Sequence, residues 1–408
     1  MRAARKSLVS TRGGLSAVAG VRAAGVACGR KKNGRPDLAL VVADGPATVA
    51  ATFTLNRVQA APIRVSKRHI KGGRFSAIVL NSGNANACTG RQGLRDAEAT
   101  AAEAARILGR PVTEVFVAST GVIGRRLDMR AIRAGIGAAA RALTPQGGSK
   151  AARAILTTDT VAKEAALRFQ IGRRQVTVAG MAKGSGMIAP HMATMLGVIA
   201  TDASVDGRTL QRLLSEAVAQ SFNCITVDGD TSTNDMVLCF ATGASGAPPL
   251  ARGTRTFERF RRALLQVCLA LAKMIARDGE GATKLAEVRV RGARSQREAR
   301  LAAEAVATSP LVKTTLFGED INWGRIMAAL GRSGARFDPE RVDLHVDELP
   351  VVRRGMSLGP SAEAAANRRI RRREFALVAS LRAGRAAARL WTTDLSEAYV
   401  RINAGYRS

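Results

Sequence analysis

Met181-Ala-Lys-Gly-Ser-Gly-Met-Ile-Ala-Pro-His-Met-Ala-Thr-Met-Leu-Gly-Val-Ile-Ala-Thr-Asp-Ala203 decides how this chain is read. A flexible Lys183-Gly-Ser-Gly186 lead reaches Ala193-Thr194, and the apolar, β-prone run Gly197–Ala200 follows almost at once. A threonine heading a buried strand, with a small residue before it, is the layout a self-processing nucleophile requires. The small residue lets the peptide carbonyl face the hydroxyl, and the strand fixes the nucleophile once it is freed. Threonine is a weak nucleophile alone, but a freed α-amino group with a pKa near ~8 suits the task of its base at neutral pH. Taken by itself, Thr194 reads first as an ordinary strand residue. The span Gly184–Thr201 carries no formal charge, yet Gly-Ser-Gly, Pro190 and His191 make it too polar to cross a membrane.

Outward from this segment, short apolar runs predict strands at Leu38–Val42, Ser76–Leu80, Val115–Ser119, Gln175–Ala179 and Asp235–Ala241. Alanine-rich stretches with helical periodicity, Leu94–Leu108, Met129–Leu143, Thr209–Ser221 and Phe257–Asp278, lie between and after them. A second compositional unit starts near Ala286, with strands at Glu287–Val290, Val342–Val346 and Phe375–Leu381 around a helix at Asn322–Leu330. Residues 353–373 hold seven arginines and few apolar anchors, which predicts a solvated loop or helix face. Irregular alternation of strands and helices implies a mixed α/β or α+β fold.

Composition bounds the function. With 46% apolar and 23% charged residues, 408 residues form large cores and are not disordered. Five scattered cysteines without a CxxC pair argue against a disulfide framework or zinc ribbon and for a reducing compartment. Three histidines without HExxH leave no histidine-built metal site, so a general base comes from elsewhere. The net charge of +31 is uneven: residues 1–193 hold 31 basic and 9 acidic side chains. Such a field attracts nucleic acid nonspecifically, but 4% aromatic residues leave few stacking platforms for bases. An Arg-rich, Lys-poor usage reads as a compositional bias rather than a specific nucleic-acid site. The acid-free stretch Met1–Asn33 has the look of a transit peptide, though the same bias runs along the whole chain.

Two further stretches concentrate glycine and small polar residues behind strands: Asn81-Ser-Gly-Asn-Ala-Asn-Ala-Cys-Thr-Gly90 and Ser119-Thr-Gly-Val-Ile-Gly124. Turns of this kind present backbone N–H groups and hydroxyls that hold an anion or a developing oxyanion. An ordinary strand-to-helix turn has the same composition.

Read together, these blocks resemble the ornithine acetyltransferase family, the bifunctional glutamate N-acetyltransferases of arginine biosynthesis. The resemblance runs from about Gly20 to the last residue. It includes Gly20–Gly25, Val79–Gly90, Ser119–Gly124 and Met181–Ala203, then Thr226–Asp235, Asp278–Lys284, Asp320–Ile326 and Tyr399–Ala404. It implies an α+β fold with a layered α/β/β/α core, a smaller C-terminal α/β domain, and a superficial likeness to N-terminal-nucleophile hydrolases. The implied division is an α chain (1–193), the start of the β chain completing the core (194–285), and a C-terminal domain (286–408) whose tail returns to the active site.

The resemblance also implies the chemistry. Self-cleavage between Ala193 and Thr194 frees Thr194, which takes acetyl from N2-acetyl-L-ornithine and passes it to L-glutamate in ping-pong order. Thr120 and Gly121 match the family's oxyanion hole, and Thr157, Lys183, Thr194, Glu280, Asn403 and Ser408 match its substrate-binding positions. Lys183 suits a carboxylate and Glu280 an ammonium. No metal or organic cofactor is implied; acetyl-CoA enters as an alternative acetyl donor, a point the sequence leaves open. The implied assembly is α2β2 from the chain's own α and β parts, with no membrane and no specific nucleic-acid partner. The implied location is cytoplasmic, or the mitochondrial matrix in a eukaryote. Three positions depart from the family: His191 replaces the usual Asn three residues before the cut, Cys224 the usual Arg, and Met236 a common Thr. A neutral histidine replaces asparagine as a hydrogen-bond partner. The competing function is a threonine amidohydrolase or aminopeptidase with water as acceptor.

Overall fold

A computed structural model describes residues 8–29, 31, 34–189 and 195–405. The first unit runs β1 (Val9–Ser10), β2 (Val21–Val26), β3 (Leu38–Phe53), α1 (Ala61–His69), β4 (Arg74–Asn84), α2 (Gly90–Leu108) and β5 (Val115–Val122). It continues with α3 (Met129–Arg141), α4 (Gly148–Ala154), β6 (Lys163–Ile171), β7 (Arg174–Lys183), β8 (Leu196–Thr201), α5 (Gly207–Ala219), β9 (Met236–Ala241) and α6 (Arg255–Arg277). Its nine strands form one sheet in the order β1-β6-β7-β8-β9-β3-β4-β5, with β2 also on β3.

Strand alternation builds the layers. In β3, Leu38, Leu40 and Val42 join a core with α1, α2 and α3, whereas Ala39, Val41 and Ala43 face the opposite way. In β9, Val237, Cys239 and Ala241 pack with α5 and α6, while Met236, Leu238 and Phe240 face inward. The inward sets of both halves share one core, where Phe75 of β4 stacks on Phe240 at 4.1 Å between ring centroids. The order is therefore helices, sheet, sheet, helices. A strand apolar on both faces is what this arrangement requires, since each half-sheet is covered twice. The long strand β3 joins the halves: its first part pairs with β2 and its last part with β9. Between them the register with β4 shifts across Val42 to Ala47, a stretch holding Gly45 and Pro46, where a bulge bends the strand.

The second unit contains β10 (Leu285–Ala293), α7 (Gln296–Ala307), α8 (Pro310–Phe317), α9 (Trp323–Gly331), β11 (Asp343–Val346), β12 (Leu349–Arg353) and β13 (Met356–Ser357). It ends with α10 (Pro360–Ile370), β14 (Glu374–Ser380), β15 (Ala386–Thr393) and α11 (Glu397–Gly405). Six strands in the order β13-β12-β11-β14-β10-β15 carry α7 to α10 on one face around their own core. Trp391 of β15 is instead buried in the first unit's core, and its carbonyl accepts from the Thr226 N–H at 2.9 Å. The arginine-rich stretch 353–373 is mostly the helix α10, with Arg368 and Arg369 in its last turn, where cations complement the helix dipole.

Two strands escape a reading by composition. β6 (Lys-Glu-Ala-Ala-Leu-Arg) and β15 (Ala-Ala-Ala-Arg-Leu) are built from strong helix formers, yet ladders to β7 and β10 hold them extended. Among the described residues, no helix is long and apolar enough to cross a membrane; Leu196–Thr201 is strand.

Candidate active site

The parallel strands β4 and β5 end side by side, with Ser82 opposite Thr120 and Gly83 opposite Gly121. Their approach depends on glycine: Gly121 has φ +126°, and a Cβ there would lie 2.4 Å from the carbonyl carbon of Gly83. Beyond this point the asparagines of the 81–90 stretch are spent on the backbone. Asn81 Nδ2 donates to the Asn84 carbonyl at 2.9 Å, and the Ser119 hydroxyl to Asn81 Oδ1 at 2.5 Å. Asn84 Nδ2 donates to the Arg126 carbonyl at 3.0 Å and Asn86 Nδ2 to that of Gly93 at 2.9 Å. From the other half of the sheet, Asn234 Nδ2 bridges the carbonyls of Ala85 (2.7 Å) and Ser119 (2.9 Å). This amide scaffold fixes the turn and leaves Thr120 and Gly121 on a pocket wall.

Lys183 ends β7 opposite Leu196, the first residue of β8. Its Nζ donates to Thr157 Oγ1 at 2.7 Å and, more weakly, to Thr120 Oγ1 at 3.4 Å. Asp159 Oδ2 lies 3.7 Å from the same ammonium. Burial pushes the Lys183 pKa down, and Asp159 opposes that shift. For Asp159 burial acts in the raising direction, but the Lys183 and Lys163 ammonium groups hold it well below the usual carboxylate range.

The start of β8 is pinned from β9's side: the Met195 N–H donates to Asp235 Oδ1 at 2.8 Å. Asp235 is fully buried, which pushes its pKa well up. Opposite, Glu280 follows α6, and its Oε2 accepts from Asn403 Nδ2 of α11 at 2.9 Å. Gly186 admits this carboxylate, since a Cβ there would meet Glu280 Oε2 at 2.4 Å. Asp228 accepts from the N–H groups of Met187 (2.6 Å) and Ile188 (2.8 Å) and from the Tyr399 hydroxyl at 3.3 Å, tying α11 to the loop before β8.

Thr120, Gly121, Thr157, Lys183, Glu280 and Asn403, separated by up to 283 positions, thus line one pocket. Among its described lining residues Lys183 is the one cation and Glu280 the one anion, a complement for a zwitterionic ligand. Ala193, Thr194, Ser408 and the variant position His191 lie outside the described residues. Cys224 is buried away from this pocket, with its thiol on the Ala219 carbonyl at 3.2 Å, and Met236 is core. The sequence reading missed Asp159, Lys163, Asp228, Asn234 and Tyr399. Three of these, Asp228, Asn234 and Tyr399, fall inside quoted blocks; for Asp159 and Lys163 no local signal exists.

Comparison with known proteins adds the decisive finding: the model of the ArgJ family matches residues 22–408. The chain belongs to the ArgJ family. The arginine biosynthesis bifunctional protein ArgJ of Symbiobacterium thermophilum is 52% identical over 398 residues, spanning 97% of this chain and 99% of that protein. Its namesake from Geobacter sulfurreducens is 48% identical over 391 residues, 96% of this chain and 100% of that one. Ornithine acetyltransferase from Mycobacterium tuberculosis, solved with ornithine, is 44% identical, with 45% of this chain and 98% of that chain covered and a TM-score of 0.42. In this ArgJ-family chain the pocket lies where β5, β7, the loop after α6 and α11 meet the start of β8.

Proposed function

We propose that this arginine-biosynthesis enzyme moves the acetyl group of N2-acetyl-L-ornithine to L-glutamate through an ester on Thr194, after cutting itself between Ala193 and Thr194. One observation carries the reading. Thr120 and Gly121, Lys183, and the Glu280–Asn403 pair converge on one pocket whose wall includes Asn234, and the next residue, Asp235, holds the N–H of Met195, the residue bonded to Thr194. The Thr194 hydroxyl attacks the acetyl carbonyl while its own amine takes the proton. The Thr120 hydroxyl and Gly121 N–H stabilise the oxyanion. The carbon–nitrogen bond breaks, ornithine leaves with the proton, and the amine of glutamate then attacks the ester and releases Thr194. Glu280 holds the ornithine ammonium, Asn403 orients Glu280, and Lys183 with Thr157 faces the carboxylate end of either amino acid. Ser408 is a further substrate-binding position that the family resemblance implies.

The relatives' shared designation as bifunctional supports a second reaction, acetylation of glutamate from acetyl-CoA, on the same nucleophile. Neither reaction calls on a metal or a bound organic cofactor. The α and β parts stay joined because their strands interleave, β8 and β9 of the second lying between β7 and β3 of the first, and on this reading two such pairs form α2β2. Five free thiols fit a cytoplasmic location.

The test uses purified protein. It should run as two fragments of 193 and 215 residues, the latter beginning Thr-Met-Leu-Gly. Acetylornithine consumption should require glutamate and yield N-acetylglutamate in equal amount. Equal consumption without glutamate, with acetate released, would convert the reading to a hydrolase.

A further inference from the structure

Lys183 ends a row of four buried charges of alternating sign. From Lys183 the row passes to Asp159 at 3.7 Å, to Lys163 at 2.7 Å, and to Asp278 at 2.6 Å. The side chains of Asp159 and Lys163 are fully buried. The row runs from Thr120, on the pocket wall, to Asp278, two residues before Glu280. Asp159 is held from every side: its Oδ1 accepts from the Gly184 N–H at 2.7 Å and its Oδ2 from the Thr157 N–H at 3.0 Å. Asp278 is held by the Thr160 N–H at 3.0 Å and by the Thr160 hydroxyl.

Burying an ammonium is costly unless a counter-charge and hydrogen-bond acceptors are fixed beside it. Lys183 has three donors, two of which are directed at Thr157 and Thr120. A hydroxyl that accepts from Lys183 keeps its own hydrogen for another acceptor. We propose that Asp159, anchored by Lys163 and Asp278, is a positioning residue that keeps a charged Lys183 on the Thr157 and Thr120 hydroxyls, leaving the Thr120 hydrogen to face the substrate's carbonyl oxygen. The proposal rests on the acetyl-transfer reading in giving Thr120 that task.

The charges facing Lys183 come from four elements: Asp159 after α4, Lys163 on β6, Glu280 after α6, and Asp235 at the head of β9. Lys31 also faces both Asp159 and Lys183. Among them Asp159 favours the charged form of Lys183 and Lys163 disfavours it. Removing each therefore has opposite consequences, which a merely structural role does not produce.

The experiment records pH profiles of kcat/KM for the wild type, Asp159→Asn and Lys163→Met, beside NMR titration of 13C-labelled lysines, with Lys183 assigned through Lys183→Arg. The alkaline limb, and the Lys183 resonance with it, should move down by about one pH unit or more in Asp159→Asn. Both should move up in Lys163→Met. Thr120 hydroxyl donation should suffer as well, so kcat of Asp159→Asn should fall more than KM rises. A uniform loss of activity at every pH with unmoved titrations would overturn the proposal. If Asp159→Asn does not fold or cleave, Lys163→Met decides alone by the direction of its shift. Wild-type protein that transfers no acetyl defeats the functional reading, yet the lysine titrations still test the charge row.

Discussion

Replacing Gly121 with alanine tests whether the proposed oxyanion wall depends on the close approach of β4 and β5. The added methyl carbon would lie 2.4 Å from the Gly83 carbonyl carbon, 2.6 Å from the Asn84 nitrogen and 2.7 Å from Gly83 Cα. All three are backbone atoms, so no side chain can swing aside. Ordinary contact needs about 3.5–4.0 Å, and the strands must part by roughly 1 Å. The φ of +126° adds strain for any residue with a Cβ. Strain and overpacking, each about 1–3 kcal/mol, together predict a destabilisation of about 2–5 kcal/mol. Parting the strands also displaces Thr120 and the residue-121 N–H, and a shift of ~1 Å in reacting geometry lowers turnover on the order of a hundredfold. Denaturant midpoints and steady-state kinetics on the cleaved protein read both effects. Gly45→Ala is the control: nothing lies within 4 Å of its Cβ position and its backbone is not left-handed, so its unfolding free energy should stay within about 0.5 kcal/mol of wild type. A Gly121→Ala protein with wild-type midpoint and turnover would refute the argument.

Thr120→Ala should lower kcat on the order of a hundredfold with KM nearly unchanged, the signature of a lost transition-state donor; a rise in KM alone would make Thr120 a ground-state contact. Thr194→Ala should give one uncut, inactive chain on a denaturing gel, and an intact chain with full transferase activity would end the free-amine mechanism. Lys313, buried between α8 and β15 with its Nζ on both the Thr392 and Thr393 hydroxyls, has its pKa lowered by burial to about 8. The folded chain then binds fewer protons than the unfolded one above pH 8, so stability should rise between pH 8 and 9.5, with a ceiling of about 3 kcal/mol for the full titration. Lys313→Met should flatten that rise in denaturant melts, and an unchanged slope would count against a depressed pKa.

The sequence determined this protein's family and most of its strands, because these are written in local runs and ordered blocks. A buried strand needs a run of apolar residues, as in Asp235–Ala241, and the ordered blocks from Gly20 to Ala404 are read one after another. The unbroken apolar runs of β3 and β9 are what two buried faces require, although only the fold shows which cores they enter. Tertiary structure decided the rest. β6 and β15 have helix-forming compositions and become strands because neighbouring ladders satisfy their backbone groups. Asn81, Asn84 and Asn234 have no role that the sequence assigns, and in the fold their amides brace the backbone of the pocket wall. The row Lys183–Asp159–Lys163–Asp278 has no signature in the chain, since charge pairing in a low-dielectric interior depends on separations of 2.6–3.7 Å between residues up to 115 positions apart. Periodicity records which way a side chain faces, whereas what it meets is set only when distant strands are brought together.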